Sequence, residues 1–268
     1  GNVTDADFAS DMVAHKPDTV FFLASIVSGE AETDFVKGWT TNANAMERFL
    51  EAIRLEHLSD GYCPKLIFTS SIAVFGPPYP DKIPDDFRTA PATSYGAQKA
   101  ICELMIADYS RKGFVDGMSL RLPTICVRPG KPNLAASSFF SGIIREPLNG
   151  QKAILPVSSD VRHWHASPRS AVGFLRHAAS LPKDALAQPR AMNLPGLSCT
   201  VEEQIEALRS IAGQKAVDLI VPEPDDAIIK IVAGWPRNFD PQRAKGLGFQ
   251  AEGSFEDIIK VYIEEELG

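Results

Sequence analysis

The sequence predicts an α/β fold, with a doubly wound parallel sheet and a smaller C-terminal lobe. Three observations lead there. Continuous apolar runs, Val20-Phe21-Phe22-Leu23-Ala24 and Leu66-Ile67-Phe68 among them, have the pattern of strands covered on both faces, as parallel strands are. Between them lie long segments with apolar residues at helical spacing, such as Met46, Phe49, Leu50 and Ile53. Strands and helices alternate, which implies right-handed crossovers between parallel strands.

The first element is a short helix over Asp5 to Lys16, with Thr4 as its cap and Phe8, Met12 and Val13 on one face. Asp18 to Ala24 is a buried strand, Gly38 to Leu55 a helix, and Lys65 to Ser70 the next buried strand. Pro77 to Pro91 carries five prolines and reads as an ordered loop. Ser94 to Arg111 is a strong helix and Gly117 to Leu122 a strand. After Arg128 the texture changes, because Pro129, Gly130 and Pro132 break the chain. Helical patterns recur at Ser167–Ser180, Val201–Ala212, Pro224–Val232 and Phe255–Glu266. We therefore divide the chain into residues 1–128, a nucleotide-binding type of α/β domain, and 129–268, mainly a substrate lobe interleaved with the last sheet strands.

A chain of 268 residues with 44% hydrophobic side chains can bury a sizeable core without a metal or disulfide staple. The formal net charge of −7 argues against a general nucleic-acid binder, which carries a basic face. Cys63, Cys102, Cys126 and Cys199 lie far apart with no C-x-x-C pair, which reads as free thiols in a reducing compartment. No apolar run approaches the ~18 residues of a membrane span, and no secretory signal is visible, so the expected location is cytoplasmic. The chain opens Gly1-Asn2-Val3-Thr4 without an initiator methionine, and we expect a segment to precede it.

The chemistry concentrates in Ser94-Tyr95-Gly96-Ala97-Gln98-Lys99, at the start of a helix. Residues four apart share a helix face, so Tyr95 and Lys99 can converge. A free tyrosine, with a pKa of about 10, is a poor base near neutrality. A neighbouring ammonium and an oxidised nicotinamide ring both favour the phenolate, which makes Tyr95 a credible general base for a substrate hydroxyl. Lys99 can also hold the nicotinamide ribose hydroxyls. Alone, Y-x-x-x-K is equally an ordinary surface pair. Phe68-Thr69-Ser70-Ser71-Ile72-Ala73-Val74-Phe75-Gly76 adds weight, since a buried strand there delivers small hydroxyl residues to its carboxyl end, where open α/β sheets place their ligands. Ser71 can orient the reacting oxygen, although a serine in that place can also simply satisfy local backbone. Arg121-Leu122-Pro123-Thr124 leaves a strand at the same edge, and the proline suits a fixed wall beside a flat ring.

Together these segments resemble the extended short-chain dehydrogenase/reductase superfamily, the NAD-dependent epimerases and dehydratases, across essentially the whole chain. Its F-x-S-S-x-x-V-Y/F-G segment matches Phe68 to Gly76, with the catalytic serine at Ser71, and its Y-x-x-x-K falls on Tyr95 and Lys99. Its strand ending H-x-A-A/G resembles Phe22-Leu23-Ala24-Ser25, with Phe22 in place of histidine. Its N-V-x-G-T looks like Asn42-Ala43-Asn44-Ala45-Met46, and its late R-D-x-x-H-V-x-D like Arg162 to Pro168 without the usual acidic residue. The resemblance implies a Rossmann-like fold and NAD as cofactor, held by Leu23, Ala24, Ser25, Asn42, Ser70, Tyr95, Lys99, Pro123 and Thr124. It also implies an N-terminal strand-helix-strand with a glycine-rich, pyrophosphate-holding turn that is missing from the given chain. Ile26 to Glu32, Arg121 to Asn133, Arg162 to Arg169 and Ala233 to Phe239 are similar to a branch that oxidises four-carbon sugar acids, D-erythronate among them, to keto acids.

For such a substrate the candidate contacts are Ser28, Ser71, Ile72, Tyr95, Lys131, Arg145 and His165. Lys131, Arg128 and Arg145 could each receive a carboxylate or be a solvated surface charge. His163 and His165 flank Trp164, but H-x-H lacks an evident third ligand, so we expect no metal. Two other activities stay open. One is a nucleotide-sugar epimerase or dehydratase that uses the same triad and keeps its hydride, and the other is a catalytically silent NAD(P)-sensing module, against which an intact triad weighs. The resemblance further implies a homodimer through Gly38–Leu55 and Ser94–Arg111, and the charge and apolar pattern lead us to expect neither nucleic acid nor membrane as partner.

Overall fold

A computed structural model of the chain describes residues 1–130 and 135–268. In chain order, helix α1 (Phe8–Ala14) leads to strand β1 (Thr19–Phe22), α2 (Ser28–Thr33) and α3 (Phe35–Gly38). A wide π-helical turn, Trp39–Asn44, runs on into α4 (Ala45–Asp60). Then come β2 (Lys65–Ser71), a 3₁₀ turn (Ile72–Val74), β3 (Ile83–Pro84), α5 (Ser94–Arg111) and β4 (Asp116–Leu122). They are followed by β5 (Thr124–Ile125), α6 (Ser138–Leu148), β6 (Ala153–Leu155), β7 (Arg162–Ala166), α7 (Pro168–Ser180), β8 (Ala191–Asn193) and β9 (Leu197–Thr200). The rest is helical except for two short strands: α8 (Val201–Ala212), α9 (Gln214–Val217), β10 (Ile220–Pro222), α10 (Asp226–Ala233), β11 (Phe239–Asp240), α11 (Gln242–Gly246) and α12 (Phe255–Tyr262).

Two compact units emerge. The first takes Gly1–Phe75, Arg88–Leu122 and Leu175–Asn193, and the second takes Gly76–Phe87, Pro123–Phe174 and Leu194–Gly268. The proline-rich segment after Phe75 goes with the second unit, and Leu175–Asn193 with the first.

The first unit is built on a parallel sheet of order β1-β2-β4-β8. Its core is Phe22, Met46, Phe49, Leu50, Ile53, Leu66, Phe68, Cys102 and Ile106, where α4 and α5 lay their apolar stripes on the strands. The register sets Phe22 beside Phe68 and Ser71 beside Leu122, so β2 and β4 end at one level, beyond the end of β1. The sequence pattern predicts a strand over Asp18 to Ala24 that is buried on both faces. The strand is shorter, and Phe21 and Leu23 are 42% and 51% exposed. Among the described residues β1 is an edge strand. Helix α1 is also shorter than its pattern, and Asp7, not Thr4, stands at its N-cap position.

The second unit has a three-stranded sheet, β5-β7-β9, and the two-stranded pairs β6–β10 and β3–β11. Phe140, Ile143 and Ile144 of α6 meet Leu208 of α8 and Phe255, Ile258 and Ile259 of α12 in its core. Thr200 and Glu203 form a reciprocal capping box at the start of α8, and that helix keeps the bounds its periodicity predicts.

Candidate active site

The ordered end of β2 presents the first part of the site. Ser71 is the last strand residue, and its Oγ accepts the Ala73 N–H at 3.1 Å, which closes the 3₁₀ turn. With its acceptor side engaged by backbone, the hydroxyl keeps its proton to donate. Helix α5 begins opposite, capped by Thr93, whose side chain accepts the Gly96 N–H at 3.1 Å. Gly96 is required there. A Cβ at that position would lie 2.1 Å from the Ala73 carbonyl oxygen, so only glycine lets the helix start against the turn that follows Ser71.

Tyr95 and Lys99 converge as their spacing predicts. The Lys99 ammonium lies 5.5 Å from the Tyr95 ring centroid and 4.6 Å from that of Phe68. It donates to the Thr69 carbonyl at 2.7 Å, and Lys99 is 2% exposed. Burial lowers its pKa to about 8, against the raising influence of Cys102 and Glu103. The Tyr95 phenol is pushed up to about 12 by burial, opposed by hydrogen bonds from Ser71 and Ser25. The sequence reading assigns the phenolate to Lys99 and the nicotinamide together. In the protein alone burial outweighs the two hydroxyls.

Whether NAD fits is testable on Lys99. A buried ammonium has three N–H donors, and among the described residues that of Lys99 makes one hydrogen bond, to a carbonyl. Among the described residues no carboxylate forms an ion pair with it. Spare donors in a dry place suit neutral hydroxyls, as on a ribose, and the residues present fit the nicotinamide half of the cofactor.

The neighbouring candidates divide. Leu23 is half exposed at the end of β1, with Ala24 and Ser25 partly buried after it. Asn42 and Ser70 are committed to the protein itself. Asn42, in the π-helical turn, accepts from Ile26 N at 2.9 Å and from Ser25 Oγ at 3.0 Å, and donates to Gln98 Oε1 at 2.8 Å. Such widened turns recur at functional sites. Ser70 donates to Glu103 at 2.5 Å, and Glu103 takes Arg121 Nε and Nη2 at 2.9 and 2.8 Å. Arg121 also reaches Asn193 at 3.3 Å and lies 4.9 Å from the Phe75 ring. Gln98, Glu103 and Arg121 had no role in the sequence reading. The signal was present for one of them, since Glu103 follows Tyr95 and Lys99 at a further step of four on the same face of α5.

Ser28 opens α2, and Ile72 is buried in the 3₁₀ turn beside Ser71. In the second unit, Thr124 Oγ1 and His163 Nε2 are 2.7 Å apart, while Pro123 precedes β5. His165 Nε2 lies 3.0 Å from Gln204 Nε2, and the His165 side chain is wholly buried. Burial holds His163 at about 3 and His165 well below its usual range, so both are neutral core histidines, with Phe140 stacked on His163 at 5.2 Å. Arg145 is 6% exposed and donates to the Arg128 carbonyl at 2.8 Å and to Glu146 at 2.6 Å. That ion pair neutralises one of the three charges that the sequence offers as receivers of a carboxylate. Lys131 lies outside the described residues. No group of three or more His, Cys, Asp or Glu with metal-holding geometry occurs among the described residues.

The family of NAD dependent epimerases and dehydratases matches residues 1–167. The chain belongs to that family. Within it, the chain is 46% identical to a D-erythronate dehydrogenase from Cupriavidus necator, over 99% of this chain and 81% of that protein. A second D-erythronate dehydrogenase, from Haemophilus influenzae, is 44% identical over 96% of this chain and 80% of its own length. A solved structure described as the nucleoside-diphosphate-sugar epimerase from Agrobacterium tumefaciens is 57% identical, with a TM-score of 0.98 over 100% of this chain and 78% of that one. This NAD dependent family is a branch of the extended short-chain dehydrogenase/reductase superfamily, and the Rossmann-type parallel sheet belongs with it.

Proposed function

We propose that the protein is an NAD-dependent dehydrogenase that oxidises a hydroxyl of a four-carbon sugar acid of the D-erythronate type to the keto acid. The observation that carries this is near-full-length similarity to two D-erythronate dehydrogenases in a chain that keeps Ser71, Tyr95 and Lys99 together. NAD, when bound, supplies the hydride acceptor and a positive ring. Tyr95 takes the proton of the substrate hydroxyl. Ser71, its oxygen already accepting Ala73 N–H, donates its own proton to the reacting oxygen and fixes its direction. Lys99 holds the nicotinamide ribose and keeps positive charge beside the phenol. Leu23, Ala24, Ser25, Pro123 and Thr124 are proposed to border the cofactor, and Ser28 and Ile72 the substrate.

The epimerase reading is favoured by one observation, the description of the 57% identical solved structure. The two readings part on the fate of the hydride. A dehydrogenase releases NADH at every turnover, whereas an epimerase retains its NAD and converts a nucleotide sugar without net reduction. Assay of NADH formation with sugar acids, and of isomer formation with nucleotide sugars, separates them.

We further propose a cytoplasmic homodimer. No described helix is long and apolar enough to cross a membrane. Leu55 and Leu58 on α4 and Leu104 on α5 are 55%, 64% and 72% exposed, an apolar surface on the two helices expected to pair. Sedimentation at micromolar concentration should give a dimer, and a monomer would refute the pairing.

A further inference from the structure

Between Tyr95 and Lys99 on α5 stands Gln98, a wholly buried amide with no part in the steps assigned to its neighbours. One end of it is satisfied and the other is not. Its Oε1 accepts Asn42 Nδ2 at 2.8 Å. Among the described residues nothing accepts from its Nε2, which packs so closely on Gly38 that a Cβ there would lie 2.8 Å from it. A buried donor without a partner costs stability, and an apolar side chain of the same length avoids that cost. Packing alone therefore does not favour glutamine here, and its use lies in the satisfied end.

That end holds Asn42, and Asn42 holds the chain that follows β1. Asn42 Oδ1 accepts Ile26 N at 2.9 Å, and its Nδ2 donates to the Ile26 carbonyl at 3.3 Å, so one side-chain amide takes both backbone groups of a single residue. Ser25 Oγ lies 3.0 Å from the same Oδ1. One turn beyond Gln98 on α5, Cys102 Sγ donates to the Asn42 carbonyl at 3.1 Å. Gln98 and Cys102, four apart, thus fix the π-helical turn through both the side chain and the backbone of Asn42. Asn42 is 2% exposed, so bulk water offers it no substitute partner.

We propose that Gln98 is a positioning residue, which through Asn42 keeps Ser25, Ile26 and the following Ser28 in register with Tyr95 and Lys99 of its own helix. The groups assigned to border cofactor and substrate, and the base that acts on the substrate, are then tied together by one chain of amides, from Gln98 to Asn42 to Ile26. Gln98 gives and takes no proton in the reaction. Its part is to keep the loop after β1 in the binding-competent arrangement before ligands arrive.

The inference rests on the dehydrogenase reading, with Ser25 at the cofactor and Ser28 at the substrate, and is tested with the full-length protein. Gln98→Met keeps the length of the side chain and removes both amide atoms. Without the bond to Asn42 the arranged loop is less populated, and apparent affinity falls by that fraction until saturating ligand restores it. The Kd for NAD, by fluorescence titration, and the KM for the sugar acid should therefore rise roughly five- to tenfold, the scale of one neutral hydrogen bond. kcat should fall far less. Unchanged Kd and KM in a variant that is only less stable to urea, or kcat lost at unchanged KM, would overturn the proposal and leave Gln98 structural. In an Asn42→Ala background Gln98→Met should weaken binding no further, and additive losses would equally overturn it. Hydrogen exchange needs no turnover: the Ile26 amide should exchange several-fold faster in Gln98→Met, and equal rates would contradict the clamp. Wild-type protein that forms no NADH from any sugar acid would sink the dehydrogenase reading, while NAD titration and amide exchange still decide on Gln98.

Discussion

Replacing Glu103 by glutamine tests how the site is held. Glu103 and Arg121 are 5% and 7% exposed, and the carboxylate takes the guanidinium on both oxygens while also accepting from Ser70. Glu103→Gln leaves the arginine charge buried without a counter-charge, and breaking a buried pair in this way costs about 3–5 kcal/mol. Asn193 and the Phe75 ring remain beside Arg121, so the lower end, about 3 kcal/mol, is expected. Urea unfolding of Glu103→Gln, Glu103→Leu, Arg121→Met and the double variant Glu103→Leu/Arg121→Met measures it. The double variant should lose far less than the two single losses added, because replacing both charges by apolar groups removes the uncompensated ion. A loss under about 1 kcal/mol for Glu103→Gln, or strict additivity, would refute the reasoning.

Three further outcomes follow from the same geometry. Tyr95→Phe should reduce kcat by about 10²–10⁴-fold while NAD affinity, measured by fluorescence titration, stays within a few-fold of wild type. Gly96→Ala should fold, by circular dichroism, yet lose roughly 10²-fold in kcat. The new Cβ, 2.1 Å from the Ala73 oxygen, pushes α5 and Tyr95 off Ser71. Lys99 sheds its proton near pH 8 in the fold but near 10.5 when unfolded, so its charge destabilises the fold below pH 8 and that burden is relieved as pH rises towards 10.5. Wild-type stability should therefore rise relative to Lys99→Met across that window, and parallel pH profiles would contradict it.

Much of this was legible because apolar periodicity reports burial directly. The strands at Lys65 and Gly117 and the helices at Ser94 and Val201 lie where the pattern puts them. The proposed triad can be read from the sequence because Tyr95 and Lys99 depend on one helix and Ser71 on one strand end. What escaped depends on neighbours distant in sequence. The π-helical turn at Trp39–Asn44 shifts hydrogen bonding by one residue and has no compositional mark, so the clamp that Asn42 places on Ser25 and Ile26 could not be seen. The two-residue pairing of β3 with β11 hides in a proline-rich loop. Arg145 offered a free cation on paper, although its neutralising partner, Glu146, is the next residue. The apolar run at β1 promised burial on both faces, whereas Phe21 and Leu23 are largely exposed among the described residues.

The most direct test of the account is NADH appearance, followed by absorbance, when the full-length protein meets NAD and D-erythronate, L-threonate or D-threonate. Continuous NADH release with one of these acids, lost in Tyr95→Phe, is the expected result. No NADH from any acid, with NAD retained through purification and a nucleotide sugar epimerised instead, would contradict it.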